Sequence, residues 1–158
     1  MKKAYILFIS LLILQALATD SVERNYFHFG SHVIPHPDKV EKGGEDAFYA
    51  SKNLIAVADG VGGWNNQGVD PSKYSKTLCS GIGALVEEDP DKYITNPIKY
   101  AKLSHKDNTH LGSSTLVIVA LDPHEPILRT YNLGDSGYII LRLRGKKNWH
   151  VAFVSEEQ

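Results

Sequence analysis

Residues 42–64 read KGGEDAFYASKNLIAVADGVGGW, and the architecture of the chain can be worked out from them. Two apolar runs, residues 46–50 and 54–58, are separated by the polar triplet 51–53. Short apolar runs joined by a polar turn predict two antiparallel strands. Acidic residues stand at the outer end of each run, so the predicted pair would carry several carboxylates to one edge of a sheet.

The carboxylates at this edge belong to Glu45 and Asp46, where the first run begins, and to Asp59, which is followed by Gly60. Hard divalent cations prefer oxygen ligands, and a glycine lets a backbone carbonyl approach an ion closely. We therefore predict a shared cation site. One alternative is that these acids are solvated loop residues, with Asp59 capping its own turn. A dinucleotide cradle is a weak competitor, because the glycines at 60, 62 and 63 lack the required spacing.

The remaining chain predicts further strands and two helices. Residues 26–33 alternate as a strand does. Asp70-Pro71 supplies a cap and a first-turn proline for a helix to about residue 88, and Asn96-Pro97 repeats that signal for a helix to about residue 108. Four strands should follow, over residues 114–121, 127–133, 138–144 and 149–154. This order predicts an α+β fold in which helices pack on a face of an antiparallel sheet.

The first 18 residues have the pattern of a cleavable secretory signal peptide. Lys2 and Lys3 precede a 15-residue stretch that is almost continuously apolar, and small residues at positions 16 and 18 suit cleavage after Ala18. The apolar stretch is shorter than the roughly 18 residues of a membrane span. An uncleaved anchor and an organelle presequence are the alternatives, the latter disfavoured by the lack of arginine. We expect a secreted or secretory-pathway protein with no stable membrane span after cleavage.

Residues 19–158 suffice for one domain with a sizeable core. Removing Lys2 and Lys3 changes the net charge from −1 to −3, so no nucleic-acid partner is expected. Cys79 is the single cysteine and lies in a helical pattern, where burial is the expected role. The expected state is a monomer.

Residues 134–137 read Gly-Asp-Ser-Gly, which also occurs around the nucleophile of some lipases and esterases. Such an enzyme needs a histidine base, and only His150 follows Ser136, inside a predicted strand. The other interpretations are a tight turn between strands, or a turn whose Asp135 lines the acidic cleft. His28, His32 and His36 are weak zinc candidates, because the prolines at positions 35 and 37 make the segment extended. Trp64 should pack the glycine loop against the core.

Four segments together resemble the PPM-type (type 2C) metal-dependent serine/threonine protein phosphatases, especially the compact branch found in mitochondria and plastids. These segments are SHVIPHPDKVEKGGEDAFY (31–49), VADGVGGWNNQGVDPSKYS (57–75), LGSSTLVIVALD (111–122) and NLGDSGYIILR (132–142). The resemblance implies a β-sandwich flanked by helices. It also implies hydrolysis of phosphoserine and phosphothreonine in a phosphoprotein substrate, with two Mg²⁺ or Mn²⁺ ions.

By resemblance, each acidic residue receives a role. Asp59 would bridge the two metals, Gly60 would offer its carbonyl, and Glu45 would hold the second ion. Asp46 would orient the attacking water, and Asp135 matches an aspartate of a further, weaker metal site. Two ions would activate water for direct attack on the phosphate.

The sequence departs from the family pattern in two ways. Glu41 stands where many relatives carry a phosphate-binding arginine, and Lys39 or Lys42 would replace it only as point charges. The family's later half, with further metal ligands, has no counterpart here, so residues 19–158 are expected to form the N-terminal part of the domain, an incomplete sandwich with unpaired strand edges. The alternative function is a catalytically inactive, phosphatase-like binding module. The family's usual compartments make a mitochondrial location the alternative to secretion.

Overall fold

The computed structural model describes residues 24–158 of the chain. The predicted signal peptide, residues 1–18, lies outside the described residues. Two short 3-10 helices, Pro37–Lys42 and Gly62–Gln67, lie in loops. The strands and α-helices are β1 (Asp46–Ala50), β2 (Leu54–Asp59), α1 (Pro71–Glu88), α2 (Pro97–Asp107), β3 (Leu116–Leu121), β4 (Leu128–Leu133), β5 (Ile139–Arg144) and β6 (Asn148–Val154).

The strands form two antiparallel sheets. The larger sheet has the order β1-β2-β3-β4, and both helices lie in the connection between β2 and β3. Strands β5 and β6 form a separate hairpin. The predicted α+β class, with antiparallel sheets and packed helices, is confirmed.

Both helices begin where the proline signals place them. In α1, Asp70 Oδ1 accepts a hydrogen bond from the N–H of Ser72 at 3.0 Å, and Pro71 occupies the first turn. Proline suits this position because the first helical N–H groups have no partner within the helix. Asn96 precedes Pro97 in the same way, but its side chain makes no capping hydrogen bond. At this helix start, only the proline of the Asn-Pro signal has its expected role, because its fixed φ suits the first turn.

The core lies between the helices and one face of the larger sheet. Strand alternation puts Leu54, Ala56 and Ala58 on the helix side, where each is fully buried, while Val57 and Asp59 are exposed. Cys79 on α1 is also buried, and burial raises the pKa of its thiol to about 12. This confirms its expected apolar role. Further core residues are Tyr74, Leu78, Ile82, Val86, Tyr100, Leu116, Ile118 and Ala120.

One strand prediction needs correction. Residues 26–33 do not form a strand. Near this segment, the N–H of Asn25 donates to the carbonyl of Pro123, and the N–H of Phe27 donates to the carbonyl of Lys52. Both acceptors lie in turns, so these hydrogen bonds do not add a strand to a sheet. The connection between β2 and α1 contains the 3-10 helix Gly62–Gln67. Within residues 24–158, no helix combines the length and apolar character needed to cross a membrane.

Candidate active site

The ends of β1 and β2 bring the predicted acidic residues together. Asp46 and Asp59 are direct neighbours in the antiparallel register. Beyond them, the N–H of Gly60 donates to the carbonyl of Glu45 at 3.1 Å. Facing residues on adjacent strands lie about 4.5–5.5 Å apart. The structure therefore places positions 45, 46, 59 and 60 at one corner of the sheet, here named the acidic corner.

Gly60 is required at the acidic corner because α1 starts directly against it. A Cβ at this position would lie 2.7 Å from the carbonyl oxygen of Pro71 and 3.0 Å from that of Glu45. Both atoms belong to the backbone, which cannot move aside cheaply. The carbonyl oxygen of Gly60 itself accepts no hydrogen bond from the described residues, so it is free to bind a cation.

Asp59 lies in a field of negative charge. Burial raises the pKa of its carboxyl group, and so do the charge of Asp46, a hydrogen bond with Asp46, and the charges of Asp135 and Glu45. Within residues 24–158, no salt bridge reaches Asp46, Asp59 or Asp135. The excess negative charge favours either a proton or a bound cation at this position.

Glu45 is held by two protein donors. Lys39 pairs with one of its carboxylate oxygens, and the amide of Asn65 donates to the other at 2.7 Å. Burial alone would raise the pKa of Glu45, but these two donors lower it below its ordinary value. A cation at Glu45 would therefore have to replace Lys39 or Asn65.

The two predicted phosphate-binding lysines occupy different places. Lys39 lies at the acidic corner. Its pKa is raised, mainly because its ammonium group donates a hydrogen bond to Glu45. Lys42 lies farther out: its carbonyl accepts a hydrogen bond from Lys76 at 3.1 Å, and its charge helps to lower the pKa of Asp70. Of the two, Lys39 is the one next to predicted metal ligands.

The Gly-Asp-Ser-Gly turn also reaches this region, but not as an esterase site. Asp135 adds its charge to that around Asp59. Ser136 Oγ lies 2.6 Å from Thr115 Oγ1, whereas the buried Nδ1 of His150 has no hydrogen-bond partner among the described residues. No serine–histidine pair forms here, so the structure favours the interpretation in which Asp135 lines the acidic cleft.

Three polar residues directly before β3 were missed by the sequence reasoning. Ser114 Oγ donates to the carbonyl of Asp59 at 2.8 Å, and the N–H of Asp59 donates to Thr115 Oγ1 at 3.0 Å. Trp64 Nε1 donates to Ser113 Oγ at 2.8 Å, which ties the 3-10 helix after β2 to the same loop. The run Ser-Ser-Thr directly before an apolar strand was the available signal.

The possible metal ligands at the acidic corner are of the type that a hard cation prefers, but they are fewer than a complete coordination shell needs. Carboxylate and carbonyl oxygens suit Mg²⁺ or Mn²⁺, which commonly keep several waters. Over residues 24–158, however, no three His, Cys, Asp or Glu side chains form a group that could hold a metal ion. The acidic corner thus presents the neighbouring carboxylates of Asp46 and Asp59 and the free carbonyl of Gly60.

Comparisons with known proteins find phosphatases. The chain matches no protein-family model. It is 45% identical over 116 residues to "Probable protein phosphatase 2C 26" of Arabidopsis thaliana, covering 72% of this chain and 38% of that protein. It is 41% identical over 109 residues to the human "Protein phosphatase PTC7 homolog", covering 63% of this chain and 35% of that protein.

A solved structure agrees with these sequence matches. The X-ray structure of the photosystem II phosphatase PBCP superposes with a TM-score of 0.70 at 32% identity, covering 82% of this chain and 49% of that one. The chain spans less than half the length of these relatives. Sequence and fold together place this chain among the PPM-type (type 2C) phosphatases, as a match to part of their length.

Proposed function

We propose that the acidic corner is part of a metal-dependent phosphatase site that hydrolyses phosphoserine and phosphothreonine in proteins. The observation that carries the proposal is the pairing of Asp46 and Asp59 in a field of negative charge, where neither carboxylate forms a salt bridge among the described residues. The relatives' names, which are those of protein phosphatases, support the reaction class. The predicted signal peptide makes a secretory-pathway phosphoprotein the expected substrate.

The residues of the corner would share the work as follows. Asp59 and the carbonyl of Gly60 would hold the cations, and Asp46 would accept a hydrogen bond from the attacking water and so orient it. Two Mg²⁺ or Mn²⁺ ions, when bound, would supply an activated water and neutralise the phosphate.

Lys39 and Glu45 would change partners when the site is loaded. Once Glu45 turns to a cation, the ammonium of Lys39 loses its present partner while staying next to the corner. It would then attract the phosphate dianion as a point charge, since a lysine lacks the bidentate fork of an arginine. Asp135 would add a further oxygen ligand at the edge of the site.

One observation favours the alternative, a phosphatase-like module that binds phosphoproteins without turnover. Both oxygens of Glu45 are already engaged by protein donors, and the described residues form no group of three side chains that could hold a metal ion. Such a module would bind a phosphopeptide through Lys39 and would need no cation.

Phosphate release from a phosphothreonine peptide by the full chain tests the proposal. We expect release with Mn²⁺, none with EDTA, and a loss of about 100-fold or more in Asp59→Asn, because the change removes a charged ligand. Asp107→Asn, at the exposed end of α2, is the matched control and should retain activity. Peptide binding that persists in EDTA, with no release under any condition, would establish the binding module instead.

A further inference from the structure

Two hydroxyl groups join the strand end that carries Asp59 to the turn that carries Asp135. Thr115 Oγ1 accepts the N–H of Asp59 at 3.0 Å and lies 2.6 Å from Ser136 Oγ. Both side chains are partly buried. A hydroxyl has one proton and two acceptor sites, so Thr115 can accept from Asp59 and still donate to Ser136.

The backbone holds both ends of this link in place. On one side, the N–H of Thr115 donates to the carbonyl of Asp59 at 2.9 Å, so Asp59 is bonded to Thr115 through both of its peptide groups. On the other side, Gly134 has a φ of +91°, and a Cβ there would lie 2.9 Å from the Thr115 methyl carbon. The turn over residues 134–137 therefore packs directly against the Thr115 side chain.

We infer that Thr115 and Ser136 are positioning residues, whose paired hydroxyls hold the carboxylate of Asp135 near that of Asp59. Like charges repel, so two carboxylates stay close in the absence of a cation only if other contacts restrain them. The Thr115–Ser136 pair is such a contact, because it connects the residue bonded to Asp59 with the residue next to Asp135. The inference rests on the proposed function, because the contact would serve to hold the metal ligands together before a cation binds.

This assignment also accounts for the serine of the Gly-Asp-Ser-Gly motif. Ser136 has Thr115 as its partner and no histidine, so its hydroxyl is not placed for nucleophilic attack. A serine at this position instead offers a short hydroxyl that can meet the threonine directly before β3.

The first test measures unfolding free energy of the full chain in EDTA at low salt. Asp135→Asn removes one of two repelling charges, so it should stabilise the wild-type fold. In the Thr115→Val background the turn is free to move away, and the same change should have little effect. We expect Asp135→Asn to raise the folding equilibrium constant about threefold or more further in the wild-type background than in Thr115→Val. A purely structural threonine would leave the effect of Asp135→Asn unchanged, and that result would overturn the inference.

The second test measures Mn²⁺ binding by titration calorimetry. Thr115→Val and Ser136→Ala should each weaken binding by about tenfold, as expected for a change that misplaces a ligand without removing it. Thr115→Ser keeps the hydroxyl and should restore most of the affinity. Ser80→Ala, whose hydroxyl bonds within α1, is the matched control and should change nothing. Ser136→Ala breaks the same pair from the other side if Thr115→Val fails to fold.

The two proposals can fail separately. Full Mn²⁺ affinity in both Thr115→Val and Ser136→Ala would overturn the positioning role while leaving the phosphatase proposal intact. No Mn²⁺ uptake by the wild-type chain would contradict the proposed metal site, and the metal-free measurement would then decide the positioning role alone.

Discussion

Asp59 and Asp122 lie near opposite ends of β3, and their electrostatic environments are opposite. Asp59, beside the start of the strand, is surrounded by carboxylates that raise its pKa. Asp122, just after its end, accepts hydrogen bonds from the N–H groups of His124 and Glu125 and from Arg129, and these lower its pKa. A carboxylate satisfied by donors stabilises the fold, whereas one crowded by like charges marks a candidate functional position.

At the residue scale, we predict that Asp122→Asn destabilises the protein at pH 7 but not in acid. The folded pKa of Asp122 lies below its unfolded value, so its contribution is present above the unfolded pKa and is lost as pH falls through the folded pKa. Urea unfolding at pH 7 and pH 2 should show a lower midpoint for the variant only at pH 7. An equal difference at both pH values would contradict the prediction, and Asp107→Asn provides the control.

At the level of elements, glycines determine how closely α1 approaches its neighbours. A Cβ on Gly83 would lie 2.7 Å from ring atoms of Tyr49 on β1, and one on Gly81 would collide with the Ser104 hydroxyl of α2. Ser104 Oγ also donates to the carbonyl of Leu78 at 2.7 Å, which joins the two helices. The lack of a side chain at these two glycines therefore allows the close packing of α1.

We therefore predict that Gly83→Ala destabilises the protein despite its better helix propensity. The alanine gains about 1 kcal/mol as a helix former, but overpacking against Tyr49 costs about 1–3 kcal/mol. Thermal unfolding should show a lower Tm. Ser80→Ala on the exposed side of α1 should stay within about 0.5 kcal/mol of wild type. A higher Tm in Gly83→Ala would show that the Tyr49 ring moves aside without cost.

At the scale of the whole molecule, the sheets leave apolar surface exposed. The larger sheet is covered by helices on one face, and on its other face Phe48 and Val57 remain 44% and 42% exposed. One face of the β5–β6 hairpin is apolar along its length, with Trp149 66% exposed. The apolar residues of that face are Ile139, Leu141, Leu143, Trp149, Val151 and Val154. Contiguous patches of this kind mark interaction surfaces in soluble proteins.

We predict that the chain on its own associates through the apolar face of the hairpin, against the expectation of a monomer. Leu141→Glu combined with Val151→Lys places opposite charges at paired positions of that face. Sedimentation velocity should show concentration-dependent association for wild type and much less for the double variant. Arg142→Lys, on the opposite face, is the control. A wild-type chain that stays monomeric at high concentration would contradict the prediction.

Local sequence signals determined most of the secondary structure and the location of the site. The alternation in residues 46–50 and 54–58 and the two Asp/Asn-Pro signals predicted the first strand pair and both helix starts. The acidic residues flanking those strands predicted the acidic corner, because an antiparallel hairpin brings the start of one strand to the end of the next. Each of these signals is contained within at most 16 consecutive residues of chain.

Only the tertiary structure decided the contacts between distant segments. Residues 26–33 alternate like a strand but pair with neither edge strand of the larger sheet, and they remain irregular. The engagement of Glu45 by Asn65, and the link from Asp59 through Thr115 to Ser136, join residues 20 or more positions apart. Such contacts depend on where the folded backbone carries each side chain, and no local pattern encodes that geometry.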